Sequence, residues 1–205
     1  MAYSQKQTIQ TDLLAWQAIA ANAAPVLSSA FDVREKLGVR IGFYFGLDSA
    51  TTPVGTQFVV FASDMDSGDT GWIPIDSIIT GTVAPVAVTV DNAEVGPVIE
   101  CGATVPALNE MILFKQGTIG LTEIQRVIAR VTTGGSESFT TLRTLTTATG
   151  AGSVYYTKAE QYNRLYDVSG IRRIQVMCNN NYAASSASCV VRVSLTTYDS
   201  IQVVA

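Results

Sequence analysis

The chain has 205 residues, 13 Lys and Arg against 17 Asp and Glu, no histidine, and a formal net charge of -4 at neutral pH. That length buries a full hydrophobic core without metal or disulfide staples, and 47% hydrophobic with only 15% charged residues excludes disorder as a whole-chain description. The missing imidazole removes Ser-His-Asp and Cys-His catalysis and every metal site built on histidine, and the negative balance gives no overall attraction to nucleic acid or anionic lipid, so that a basic groove has to be local.

The first residues, MAYSQKQTIQTDLLAWQ, lack the basic start, compact apolar run and cleavage site of a secretory signal. No apolar stretch reaches the roughly 18 residues that span a bilayer as a helix. Over residues 4–24, Ile9, Leu13, Trp16 and Ala20 recur at helical spacing, which predicts a short N-terminal helix or arm over residues 1–25. Ile9, Leu13 and Trp16 give that arm more apolar surface than a free tail exposes, so it is expected to dock on a neighbouring subunit. At Pro25-Val26 the pattern changes to β-branched and aromatic runs separated by Gly, Pro, Asn, Asp and Ser. Strands are expected near 26–33, 38–47, 56–63, 71–79, 86–91, 97–101, 107–115, 123–132, 138–147, 153–157, 171–178 and 189–198. Residues 158–166 read as a short helix or an irregular crossover, and the Thr/Ser/Gly tract 132–153 as loop and edge. The expected fold is all-β, an antiparallel β-sandwich or jelly roll with a short N-terminal helix or arm, residues 26–205 forming a single β domain.

One internal similarity stands out. Phe31-Asp32-Val33 recurs as Tyr166-Asp167-Val168, each followed by an Arg-containing strand, a small polar loop and a second strand. The spacings differ, so this is not a tandem repeat. Either the two units are equivalent hairpins of a sandwich or β composition alone produces the match.

Few residue groups invite chemistry. Asp64-Met65-Asp66-Ser67-Gly68-Asp69 offers oxygen ligands, but Gly68 and Ile75 occupy the wrong loop positions for an EF-hand, and the run reads as a turn. Glu94, Glu100 and Glu110 carry no spacing that sets an acid/base pair. Gly134-Gly135 and Gly150-Ala151-Gly152 match neither a phosphate-binding nor a dinucleotide fingerprint, so no cofactor, metal or catalytic residue is assigned. Cys101, Cys178 and Cys189 are an odd, sparse set that reads as buried thiols, although Cys178 and Cys189 flank one loop and could face each other across a hairpin. Basic residues gather in the second half as Arg126, Arg130, Arg143, Lys158, Arg164, Arg172, Arg173 and Arg192, interleaved with Tyr155, Tyr156, Tyr162 and Tyr166. That mixture suits a protein interface more than single-stranded nucleic acid.

The run from Ala30-Phe31-Asp32-Val33 through Lys36-Leu37 to Arg40-Ile41, then Phe58-Val59-Val60-Phe61-Ala62-Ser63, Ser67-Gly68-Asp69 and Gly71-Trp72-Ile73-Pro74-Ile75, resembles small virion proteins of tailed bacteriophages over roughly the first 80 residues. The resemblance implies a non-enzymatic structural role in the virion, assembled in the host cytoplasm: a capsid decoration or cement protein, with a neck or tail component as the alternative. Expected partners are the major capsid protein or other virion subunits and further copies of the chain, with neither membrane nor nucleic acid. Two other classes stay open: a carbohydrate-binding, receptor-binding β-sandwich with aromatics stacked on sugar, and a carboxylate-dependent glycosidase.

Overall fold

The computed structural model describes residues 2–4, 11–49, 55–93, 96–102, 104–115, 122–133, 136–146, 150–181, 188–199 and 202–204. In chain order the strands of the first half are β1 (Ala2–Ser4), β2 (Thr11–Ile19), β3 (Val26–Leu27), β4 (Phe31–Asp32), β5 (Lys36–Leu47), β6 (Thr56–Ser63), β7 (Ile73–Thr80), β8 (Ala87–Thr89) and β9 (Val98–Cys101). The second half adds β10 (Met111–Phe114), β11 (Glu123–Thr133), β12 (Ser136–Thr141), β13 (Val154–Tyr156), β14 (Glu160–Asp167), β15 (Arg173–Asn180), β16 (Cys189–Asp199) and β17 (Gln202–Val204). Among the described residues there is no helix. β1 pairs with β17, joining the two ends of the chain.

Two sheets form a sandwich, one ordered β2-β16-β5-β14 and the other β3-β15-β6-β7, with β4 also on β15. Numbered without the strands between β7 and β14, this is the order of an eight-stranded jelly roll. Alternation drives it. β15 buries every second side chain, sending Ile174, Val176 and Cys178 inward, and β5 meets them with Val39, Ile41, Phe43, Phe45 and Leu47. Phe43 and Phe58 close the middle of the core edge-on at 5.4 Å across the two sheets.

Residues 81–159, between β7 and β14, hold a second core. Their strands run β8-β13-β10-β11-β12-β9, all antiparallel. A bridge between Val90 and Cys101 brings the last strand back beside the first, closing a six-stranded barrel, so that neither β8 nor β9 is left as a bare edge. Val88, Ile99, Ile112, Phe114, Phe139 and Tyr155 fill it. The β body expected over residues 26–205 therefore contains two cores, and its sandwich also takes in Thr11–Ile19.

The N-terminal helix is corrected over residues 11–19, which are a strand along β16. The register slips twice, between Val191 and Val193 and between Val193 and Ser194, each slip adding a residue on the β2 side. Leu13 and Ile19 face the sandwich core while Trp16 packs on the outer face, so that apolar side chains on both faces of one strand fall three apart and imitate a helix. Residues 160–167 are likewise neither helix nor irregular crossover, because β14 pairs with β5 from Glu160↔Phe45 to Asp167↔Gly38. Lys-Ala-Glu-Gln has good helix propensity, but an open sheet edge overrides it.

The two aromatic-Asp-Val units are a genuine local repeat. Val33 and Val168 are both buried in the sandwich core, and Phe31 and Tyr166 pack beside them. Each Asp accepts a backbone N–H two residues on, Asp32 from Arg34 at 2.9 Å and Asp167 from Ser169 at 2.8 Å. Each Val carbonyl then closes a turn, to Lys36 N at 3.1 Å and Ile171 N at 2.9 Å. The strands that follow are not hairpins: β5 and β6 lie in different sheets, as do β15 and β16.

Candidate binding groove

The outward face of β5 runs Gly38, Arg40, Gly42, Tyr44, Gly46. A glycine inside a strand marks a close approach, and Gly46 makes one with the barrel: a Cβ there would stand 2.7 Å from the side chain of Leu113 on β10. Leu113, Ala159 and Val190 form a small third core at this junction, with Trp16, Met111 and Ile124 around it. This cover also explains why Val190, on the outward face of β16, is buried.

Beside the junction the two bodies diverge, leaving a groove of about 860 Å³. Its floor belongs to the jelly roll. Register places Gln161, Tyr44 and Arg192 in one row across β14, β5 and β16. Arg192 lies over the Tyr44 ring at 5.3 Å and is held by Asp12 through Nε at 2.9 Å and Nη2 at 2.7 Å. Trp16 meets Tyr44 edge-on at 6.0 Å. The facing wall is Thr122 to Arg126, with Leu142 and Arg143 beyond it. Glu123 braces that wall: Oε2 accepts Gln125 Nε2 at 2.9 Å, and Oε1 accepts the Thr146 backbone N–H at 2.9 Å and its hydroxyl at 3.1 Å. The Leu142 N–H reaches the Arg126 carbonyl at 2.9 Å and the Thr141 hydroxyl reaches that of Arg143 at 2.7 Å, so both arginines stand on fixed backbone. Their side chains are exposed and, among the described residues, carry no ion pair or hydrogen bond. Thr122 is only 6% exposed, and its hydroxyl has no partner among the described residues. With Arg192 neutralised by Asp12, Arg126 and Arg143 against the single carboxylate of Glu123 leave the groove locally positive in an acidic chain.

Of the residues expected at an N-terminal docking arm, Trp16 lines this groove, Leu13 is buried in the sandwich core, and Ile9 lies outside the described residues. The acidic turn is occupied by arginines. Asp66 Oδ1 takes Arg172 at 2.6 Å and Arg34 at 3.1 Å, and the Arg172 hydrogen bond foremost holds its carboxyl below the ordinary range. Arg173 donates to the Met65 and Gly68 carbonyls at 2.8 and 2.9 Å while lying over Trp72 at 4.8 Å. Glu110 is tied to Lys158 at 2.5 Å and to the Ala107 N–H at 2.7 Å, Glu100 accepts from Asn92, and Glu94 and Gly134-Gly135 lie outside the described residues. Three of the four tyrosines are committed elsewhere. Tyr155 is inside the barrel against Phe114 at 4.7 Å, Tyr162 donates to Glu160, and Tyr166 donates to Asp76 at 2.7 Å, burial first and that bond second pushing its hydroxyl upward. Cys178 and Cys189 sit on opposite sheets rather than across a hairpin. All three cysteines are buried free thiols, and burial foremost raises Cys101 and Cys189 to about 11.

Tyr44, Gln161, Thr122 and Gln125 carried no sequence motif. The Gly42-x-Tyr44-x-Gly46 alternation is the one signal that marks this stretch, since it gives an outward aromatic between two positions with no side chain. No family model, curated protein or solved structure matches the chain.

Proposed function

We propose that this chain is a structural virion protein that decorates or cements a phage capsid by packing between shell subunits. The observation that carries the reading is the outward face of the β3-β15-β6-β7 sheet. Three successive rows of it, Leu27–Met177–Val59–Ser77, Gln175–Phe61–Pro74 and Asn179–Gln57–Ile79, hold no charged side chain, and the charged row Asp32–Arg173–Ser63 borders them at one end. Leu27 and Ile79 are 54% and 60% exposed. An outer sheet face normally carries charge for solubility, whereas charge depletion with apolar and amide side chains suits the middle of a protein interface. The jelly roll is a fold of viral shells, though equally of lectins, so fold alone does not decide.

Attachment through such a face is expected to be less salt-sensitive than phosphate binding. The test compares particles with and without the protein for melting temperature and genome release at low and high salt. Added resistance to disassembly at both salts, lost with the Met177→Glu variant, supports the reading. Unchanged particle stability on removal of the protein overturns the cement role.

A further inference from the structure

We propose that the groove between jelly roll and barrel binds an acidic oligosaccharide, a glycan bearing carboxylate or sulfate groups. Its volume of about 860 Å³ lies within the roughly 300–1,000 Å³ of sites that enclose small ligands. Arg126 and Arg143 stand free on rigid backbone at one wall, and a guanidinium meets a carboxylate or sulfate with two parallel hydrogen bonds. Opposite them, Trp16 presents a half-buried apolar floor for the C–H face of a single pyranose, the Tyr44 ring beside it being covered by Arg192. On the same wall as Arg126, the buried Thr122 hydroxyl lacks a partner among the described residues, and an unsatisfied buried polar group is destabilising until a ligand or water supplies one. Charge, apolar floor and hydroxyl partner are the three things an acidic sugar ring offers to complement.

Single-stranded nucleic acid fits less well. It requires cationic side chains along several nucleotides and open aromatic faces for successive bases. Here Arg192 already covers Tyr44 and is neutralised by Asp12, Trp16 stands edge-on to that ring, and the chain is acidic overall. The groove lies on the other sheet from the packing face, so this site stands or falls independently of the virion role.

The experiment uses the full chain carrying Trp72→Phe, which leaves Trp16 as the single tryptophan of the two. Wild type and an R126Q/R143Q double variant are applied to an array of sialylated, uronate-containing and sulfated oligosaccharides with their neutral parents. Hits and the oligonucleotide dT8 are then titrated against Trp16 fluorescence. Both arginines are exposed, so the double variant is expected to melt at an unchanged temperature. Saturable binding of one acidic glycan class, at least ten-fold weaker for its neutral parent and at least ten-fold weaker for the double variant, supports the proposal. Three results overturn it: no acidic glycan bound more tightly by wild type than by the double variant, equal binding of a neutral parent, or arginine-dependent binding of dT8 tighter than any glycan.

Discussion

Glu35 and Gly170 occupy the same place in the two matching turns, each two residues after the buried valine, with φ of 67° and 81°. A third turn residue with positive φ is the requirement of a type II turn, which glycine meets without strain. A non-glycine residue in that region carries roughly 1–2 kcal/mol of strain, and glycine's larger unfolded-state entropy takes back about 0.4–1 kcal/mol. Glu35→Gly is therefore expected to stabilise the chain by up to about 1.6 kcal/mol, read as a higher urea midpoint at unchanged slope. A lower midpoint would mean that Glu35 makes a contact worth more than its strain. The aspartates heading these turns are both held below the ordinary carboxylate range. The Arg34 side-chain hydrogen bond, first among its causes, lowers Asp32, and hydrogen bonds from Ser169 lower Asp167, both from the usual 3.8. A carboxylate depressed in the folded state stabilises fully above its unfolded value, and that contribution is lost as pH falls through the folded one. Acid unfolding of a D32N/D167N variant should accordingly show a shallower fall in stability below about pH 4 than the parent; an identical profile would place the pH dependence elsewhere.

Strands with clean alternation were legible element by element. β6 spans the same residues in sequence and structure, and β5, β11, β15 and β16 differ by a few residues at their ends. β2 was hidden because it carries apolar side chains on both faces, Leu13 and Ile19 toward the core and Trp16 toward the groove, which gives a strand the spacing of a helix. β14 was hidden because its exposed edge takes helix-forming polar residues as readily as β-formers. The groove was legible only through Trp16 and its arginines, since register between distant strands puts Gln161 beside Tyr44. At the junction, Gly46 on β5 and Leu113 on β10 act as a pair: an added Cβ would lie 2.7, 2.9 and 3.0 Å from three Leu113 carbons, and Leu113 is 1% exposed with little room to yield. Overpacking by G46A is expected to destabilise by about 1–3 kcal/mol, and the cavity left by L113A by about 2–5 kcal/mol. The double variant fills the cavity with the new methyl. Its loss in urea unfolding is therefore expected to fall short of the sum by at least about 1 kcal/mol. Strict additivity would mean that the barrel does not rest on Gly46.

At the scale of the whole molecule, strand signals recur at similar intervals through both bodies, so nothing in composition marked residues 81–159 as separate. Separation comes from pairing: no barrel strand shares a sheet with a jelly-roll strand. The two connections run side by side and bend where they meet, with φ of 69° at Gly81 and 58° at Lys158. Glu160 clamps them, its carboxylate accepting the Gly81 N–H at 2.8 Å and the Thr80 hydroxyl. Just inside the barrel, Val86 and Thr157 exchange hydrogen bonds at 2.9 and 3.1 Å. Exchanging residues 82–157 for a short Gly-Ser linker thus leaves every jelly-roll ladder and the Glu160 clamp in place. The shortened chain is expected to keep a β-type far-UV spectrum and a single cooperative unfolding transition. Its stability should be lower, because loss of Leu113 uncovers Val190 and the Gly46 backbone, and Trp16 emission should shift to the red as the groove wall departs. A chain with no cooperative transition would mean that the sandwich needs the barrel to fold. Hydrogen exchange on the intact protein separates that outcome from simple aggregation: one protection level shared by both cores marks a single folding unit, whereas a higher level in β5, β6, β15 and β16 than in the barrel marks two.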